Sequence, residues 1–155
     1  MKRLIATLFV ALFIFSLSLS AQADSSGLAA LNGKVTAFLN SGDKVALDED
    51  GYAVTIAYYV VSSGWWTGLA IYNSSSESNS IKVGCLDSTG DVQAAGTLSL
   101  IPYAFEADLL ANFMTGGSVP ETGSIFISGS APFIVDRYLG GAGGFGEIQL
   151  EAEAY

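Results

Sequence analysis

This chain predicts an all-β domain, an antiparallel β-sandwich of Ig-like or jelly-roll-like type carrying one short helix. Three observations carry that reading. Nearly every apolar segment alternates with period two, aromatic and β-branched residues crowd those segments, and turn clusters rich in Gly, Asn, Asp and Ser separate them at roughly ten-residue intervals.

The elements follow in order. Residues 1–23 have a Lys2-Arg3 head, an apolar stretch and a small-residue exit, Ala21-Gln22-Ala23, before Asp24. That is the pattern of a secretory signal peptide cut after Ala23, and its apolar run is shorter than the roughly 20 residues of a membrane span. Residues 24–155 are then one sandwich domain, exported to the periplasm, the cell surface or beyond. Residues 35–39 read as a short strand ending at Asn40-Ser41-Gly42-Asp43, and residues 44–47 as a second, closed by Asp48-Glu49-Asp50-Gly51. Residues 52–61 suit a strand buried on both faces. Residues 65–72 form the next, and residues 81–86 turn through Asp87-Ser88-Thr89-Gly90-Asp91 into a partner strand at 92–101, a hairpin with Gly90 free to take positive φ. Residues 104–114 place Phe105, Leu109, Leu110 and Phe113 at helical spacing and predict the one short helix. Strands resume at 124–128 and 133–139, Gly140 to Gly144 reads as a flexible loop, and residues 145–155 form the last strand.

Charge narrows the range of partners. The formal charge of −9 falls to about −11 when Lys2 and Arg3 leave, and the remaining Lys34, Lys44, Lys82 and Arg137 are scattered. Nucleic-acid binding needs clustered cations to displace counterions from phosphates, so no nucleic-acid partner is expected. The mature chain has no second apolar span for a membrane. Cys85 is the only cysteine and shares a strand face with Ile81 and Val83, which suits a small buried hydrophobe.

Chemistry narrows it further. With no histidine, the commonest general base and transition-metal ligand is missing, together with every Ser-His and Cys-His pair. Carboxylates remain (Asp48, Glu49, Asp50, Glu106, Asp108, Asp136, Glu147), mostly in turn contexts where Asp accepts backbone hydrogen bonds. No catalytic residue and no cofactor is assigned, and the expectation is a protein that is not an enzyme. Asp48 with Asp50, and Asp87 with Asp91, are weak calcium candidates, since calcium wants six to eight oxygens and neither loop supplies them alone. The ligand-binding candidates are Trp66 and Tyr72. On a strand they share a face with Gly68 and Ala70, opposite the core-like Leu69 and Ile71, and form a stacking surface if nothing covers them.

Residues 52–146 also carry an ordered set of short motifs. They run Trp66-Thr67-Gly68-Leu69-Ala70-Ile71-Tyr72-Asn73, Asp87-Ser88-Thr89-Gly90, Leu100-Ile101-Pro102 and the Leu-Phe segment 109–113. Gly123-Ser124-Ile125-Phe126-Ile127-Ser128, Ala131-Pro132-Phe133-Ile134-Val135 and Gly140-Gly141 complete the set. In this order they resemble a β-sandwich module of exported bacterial proteins whose function is uncharacterised. The resemblance implies a sandwich at the cell surface or in the envelope and supplies no catalytic residue.

The function expected is therefore a non-enzymatic exported domain that binds or scaffolds a protein or glycan partner. One alternative is a carbohydrate-binding module using Trp66 and Tyr72. Another is a small outer-membrane β-barrel, for which the acidic closing strand at 147–155 is a poor fit. Self-association through strand edges stays open.

Overall fold

The computed structural model describes residues 25–40 and 51–154. The expected signal peptide, the strand at 44–47 and the Asp48/Asp50 calcium candidate lie outside them. An all-β antiparallel sandwich is confirmed, with a helix placed elsewhere than expected. The six-stranded sheet contains β1 (Tyr52–Val60), β3 (Asn79–Leu86), β4 (Val92–Leu100), β6 (Gly116–Gly117), β7 (Thr122–Gly129) and β10 (Glu153–Ala154), in the order β10-β1-β7-β3-β4-β6. The four-stranded sheet contains β2 (Trp65–Asn73), β5 (Phe105–Leu109), β8 (Phe133–Gly141) and β9 (Gly144–Glu151), in the order β5-β2-β8-β9. Every ladder is antiparallel. Both sheets are open, so the barrel alternative finds no support in the fold, and no helix among the described residues is long and apolar enough to cross a membrane.

Between the sheets, alternate residues interlock. Ile81, Val83 and Cys85 of β3 and Ile125 and Ile127 of β7 meet Leu69 and Ile71 of β2 and Val135 of β8. Cys85 is a free, fully buried thiol whose Sγ lies 3.8 Å from Met114 Sδ. Burial pushes that thiol up to about 12, against a smaller lowering by Tyr59, so it stays protonated at neutral pH as an inert core residue. Polar pins fix the two sheets to each other. Thr67 Oγ1 donates to Val60 O at 2.8 Å and accepts from Val60 N, while Arg137 Nη1 donates to Tyr58 O at 2.8 Å. At the opposite end, buried Asn73 Nδ2 donates to Glu77 O and Ile101 O, and Asn79 Nδ2 donates to Ala131 O.

The expected strand at 35–39 is instead the end of helix α1, Ser25–Asn40. Leu31, Val35 and Phe38 recur at steps of four and three, one helical face, and that face covers Ala53, Leu86, Ala95 and Phe126 on the outer side of the six-stranded sheet. Ser128 Oγ donates to Asn32 Oδ1 at 2.8 Å in the same contact. A five-residue window of β-branched and aromatic residues fits either element; tertiary burial of the longer face decides for the helix.

The helix expected at 104–114 is also corrected. Phe105-x-Ala107-x-Leu109 alternates and pairs with β2 as strand β5, and only Leu110–Phe113 coils, as a single 3-10 turn that buries Leu110 and Phe113. The last strand is broken at Ala152, where the chain crosses from β9 in one sheet to β10 in the other. Gly140 and Gly141, expected in a loop, are paired residues of β8 opposite Trp66 and Trp65.

Candidate functional site

The helix covers one sheet; the outer face of the other is exposed. Its composition follows from register. Tyr72 lies between Phe105 and Ile134, Ala70 between Ala107 and Asp136, and Gly68 between Leu109 and Tyr138. Across β8, Asp136 faces Gln149, Tyr138 faces Glu147 and Gly140 faces Phe145. Trp66 and Tyr72 thus stand on one face of one strand, as the alternation expects, 40% and 37% exposed.

The orientation of Trp66 has a cause in the neighbouring strand. A Cβ built on Gly140 would sit 2.0 Å from Cε2 and Cζ2 of Trp66, and one on Gly68 would sit 3.4 Å from Cζ3. The indole therefore occupies the space that a side chain at Gly140 would fill and reaches to about contact distance of Gly68, while 40% of the residue stays exposed. Trp65 does the same over Gly141 on the opposite face, where a Cβ would sit 2.7 Å from its Cε3. Paired tryptophans opposite paired glycines explain both doublets in the sequence. Trp65 shares a strand face with the core residues Leu69 and Ile71 but does not enter the core. It opens β2 directly after the tight turn that bridges Ser62 to Trp65, at the end of the sandwich, and is half-exposed.

Beside Tyr72 the surface dips into a depression of about 350 Å³ lined by Ala70, Tyr72, Phe105, Ile134, Asp136 and Gln149. Asp136 Oδ1 accepts from Gln149 Nε2 at 2.8 Å. Desolvation first, then the charges of Glu147 and Asp136, hold the Tyr138 phenol above its ordinary range. Sequence reasoning missed Phe105 because it was assigned to a helix, and missed Asp136 as a neighbour of Tyr72 because cross-strand register is not written in either segment alone.

Of the calcium candidates among the described residues, Asp87 and Asp91, neither is brought to this face. Asp87 and Asp91 close the β3–β4 hairpin, where Asp87 Oδ1 accepts from Thr89 N, Thr89 Oγ1 and Asp91 N, and Oδ2 accepts from Gln93 Nε2 at 2.6 Å. Asp91 pairs with Lys34 at 3.5 Å. The carboxylate oxygens that calcium would need are engaged in turn chemistry, and no group of three or more metal-ligating side chains forms among the described residues. Asp108 Oδ1 accepts from Leu109 N and Asn112 Nδ2, which ties the end of β5 to a side chain of the 3-10 turn.

The hydrogen bond from Thr89, with those from Asp91 and Gln93, holds Asp87 down to about 2. A depressed carboxylate stabilises the fold above its unfolded value of about 4, and the contribution is lost as pH falls through about 2. Carboxyl-carbon NMR should place the Asp87 midpoint near 2. A midpoint near 4 would show that these bonds do not form in solution.

No protein-family model and no curated protein matches the chain. Solved structures of similar shape include a Thermotoga maritima protein designated 1070 (13% identity, TM-score 0.49, 66% of this chain and 91% of that one). The Anabaena sensory rhodopsin transducer is similar at 12% identity and TM-score 0.49, over 61% of this chain and 84% of that one. FlgD from P. aeruginosa follows at 16% identity and TM-score 0.33, over 70% and 76%. At these identities and scores the likeness assigns no ligand or activity to this chain.

Proposed function

We propose that this chain is an exported, non-enzymatic β-sandwich domain that binds a partner through the outer face of its four-stranded sheet, in the envelope or at the cell surface. The observation that carries the reading is Trp66, seated over Gly140 on the uncovered face and still 40% exposed. An aromatic ring held in place before binding loses little entropy on contact, and Trp is among the residues that dominate binding energy. Leu109 and Phe145 extend the exposed apolar surface near it, and Phe105 does so at the Tyr72 end of the strand.

A second reading, a carbohydrate ligand, is supported by the spacing of Trp66 and Tyr72. Six residues of strand separate them by about 20 Å, with the small Gly68 and Ala70 between, which suits a chain of sugar rings stacking at both ends. The test uses glycan arrays and retention of envelope components by the immobilised protein, wild type against Trp66→Ala. Loss of a retained partner by at least about tenfold is expected, in keeping with a Trp hot spot. Equal retention by the variant sinks the reading.

A further inference from the structure

We propose that the depression beside Tyr72 is a cation-recognition pocket that takes a lysine or arginine side chain from a basic polypeptide segment lying along β2. The inference rests on the binding face proposed above and names the chemistry of its ligand.

The lining has two parts. Tyr72, Phe105, Ala70 and Ile134 supply apolar and aromatic walls, and Asp136 supplies a carboxylate with neutral Gln149 beside it. Gln149 engages Oδ1 of Asp136, and Oδ2 makes no hydrogen bond among the described residues. An aliphatic stem against aromatic rings, ending in a positive charge near a carboxylate, satisfies both parts at once; cation–π attraction to exposed rings adds to the ionic contact. A neutral ligand leaves the carboxylate unused, and an anion is repelled.

The whole face agrees with the pocket. By register it carries Asp136, Glu147 and Glu151 and no Lys or Arg. The three cations of the described residues are elsewhere: Lys34 on α1, Lys82 buried on the helix-covered sheet and Arg137 on the side facing the core. The chain's formal charge of −9 steers basic partners toward it. A polypeptide fits better than an amino-sugar polymer, because a sugar carries its amine directly on the ring and has no flexible stem for the apolar walls. The shallow pocket buries one side chain, and the rest of a segment running along β2 reaches Trp66.

The test is amide NMR titration of the isotope-labelled protein with a terminally blocked Ser-Gly-Lys-Gly-Ser peptide. Its norleucine analogue and a glucosamine trisaccharide serve as the other ligands. Shifts should concentrate at Ala70, Tyr72, Phe105, Ile134, Asp136 and Gln149, with the lysine peptide binding about fivefold tighter than the norleucine one. Asp136→Asn should remove that preference. Glu121→Gln, an equal charge loss at the far end of the strands, should leave it unchanged. The proposal is overturned by equal binding of the two peptides, by equal effects of the two variants, or by tighter binding of the trisaccharide in the pocket. If Trp66→Ala loses the retained partner while Asp136→Asn leaves lysine binding intact, the pocket fails and the aromatic face stands. If Trp66→Ala retains the partner, the aromatic face fails whatever the peptide does.

Discussion

Phe126→Ala should lower the stability of the fold by about 3–5 kcal/mol, the range for truncating a fully buried aromatic residue. Phe126 is completely buried between the six-stranded sheet and α1, with Val35 above it and Ala53, Leu86 and Ala95 around it. Three of those neighbours lie on the sheet and two of them are alanines, so little can move in to fill the cavity. Gly84 shows how close the helix sits: a Cβ there would lie 2.6 Å from Val35 Cγ2. An isolated helix of this length is marginal in water, so α1 depends on this contact. In urea, where small proteins lose about 1–3 kcal/mol per molar, the midpoint should fall by more than about 1 M. A loss under about 1 kcal/mol would mean that α1 does not cover this residue in solution.

Gly96→Ala should cost about 3 kcal/mol, the upper end for overpacking, and for the opposite reason. A Cβ at Gly96 would lie 1.8 Å from the carbonyl oxygen of Phe113 and 3.1 Å from Met114 Cα. The obstruction is backbone, so no rotamer change relieves it. The 3-10 turn that seats Leu110 and Phe113 in the core must move away from β4, disturbing the bond from Thr115 N to Ala95 O. Thermal unfolding should shift downward by roughly 10 °C. An unchanged midpoint would show that the turn is held only loosely against the strand.

The contrast between these positions shows what the sequence can and cannot express. Strand β1 was readable from its aromatic and β-branched composition, but it is not buried on both faces as that composition suggests, since Thr55, Ala57 and Tyr58 are exposed. Period-two alternation made β2, β3, β4, β7 and β8 readable within a few residues, because one face of each is core. The same logic failed where a segment fits two periods. Val35 and Phe38 look like a strand until Leu31 is included, and Phe105 with Leu109 look like a helix until the intervening Ala107 is weighed. At the candidate site, Trp66 and Tyr72 were legible from alternation within β2. Their neighbours were not, since Phe105 and Asp136 arrive through ladders linking segments about 30 to 60 residues apart. The glycines were legible only in hindsight: Gly140-Gly141 and Trp65-Trp66 are reciprocal doublets, and neither means much without the register that sets them opposite each other.

Strand β9 ends its sheet, with Glu147 and Glu151 on the outer face and Ile148 half-exposed on the other. An open edge invites a second copy, and a two-fold arrangement would join the same strand to itself. Antiparallel self-pairing about Gln149 sets Glu147 of each copy opposite Glu151 of the other, like charges directly across a ladder. In that register the acidic pairs of the edge disfavour its own duplicate at neutral pH, so a second copy adding at β9 would have to slip to another register, while a basic strand would meet the same carboxylates favourably.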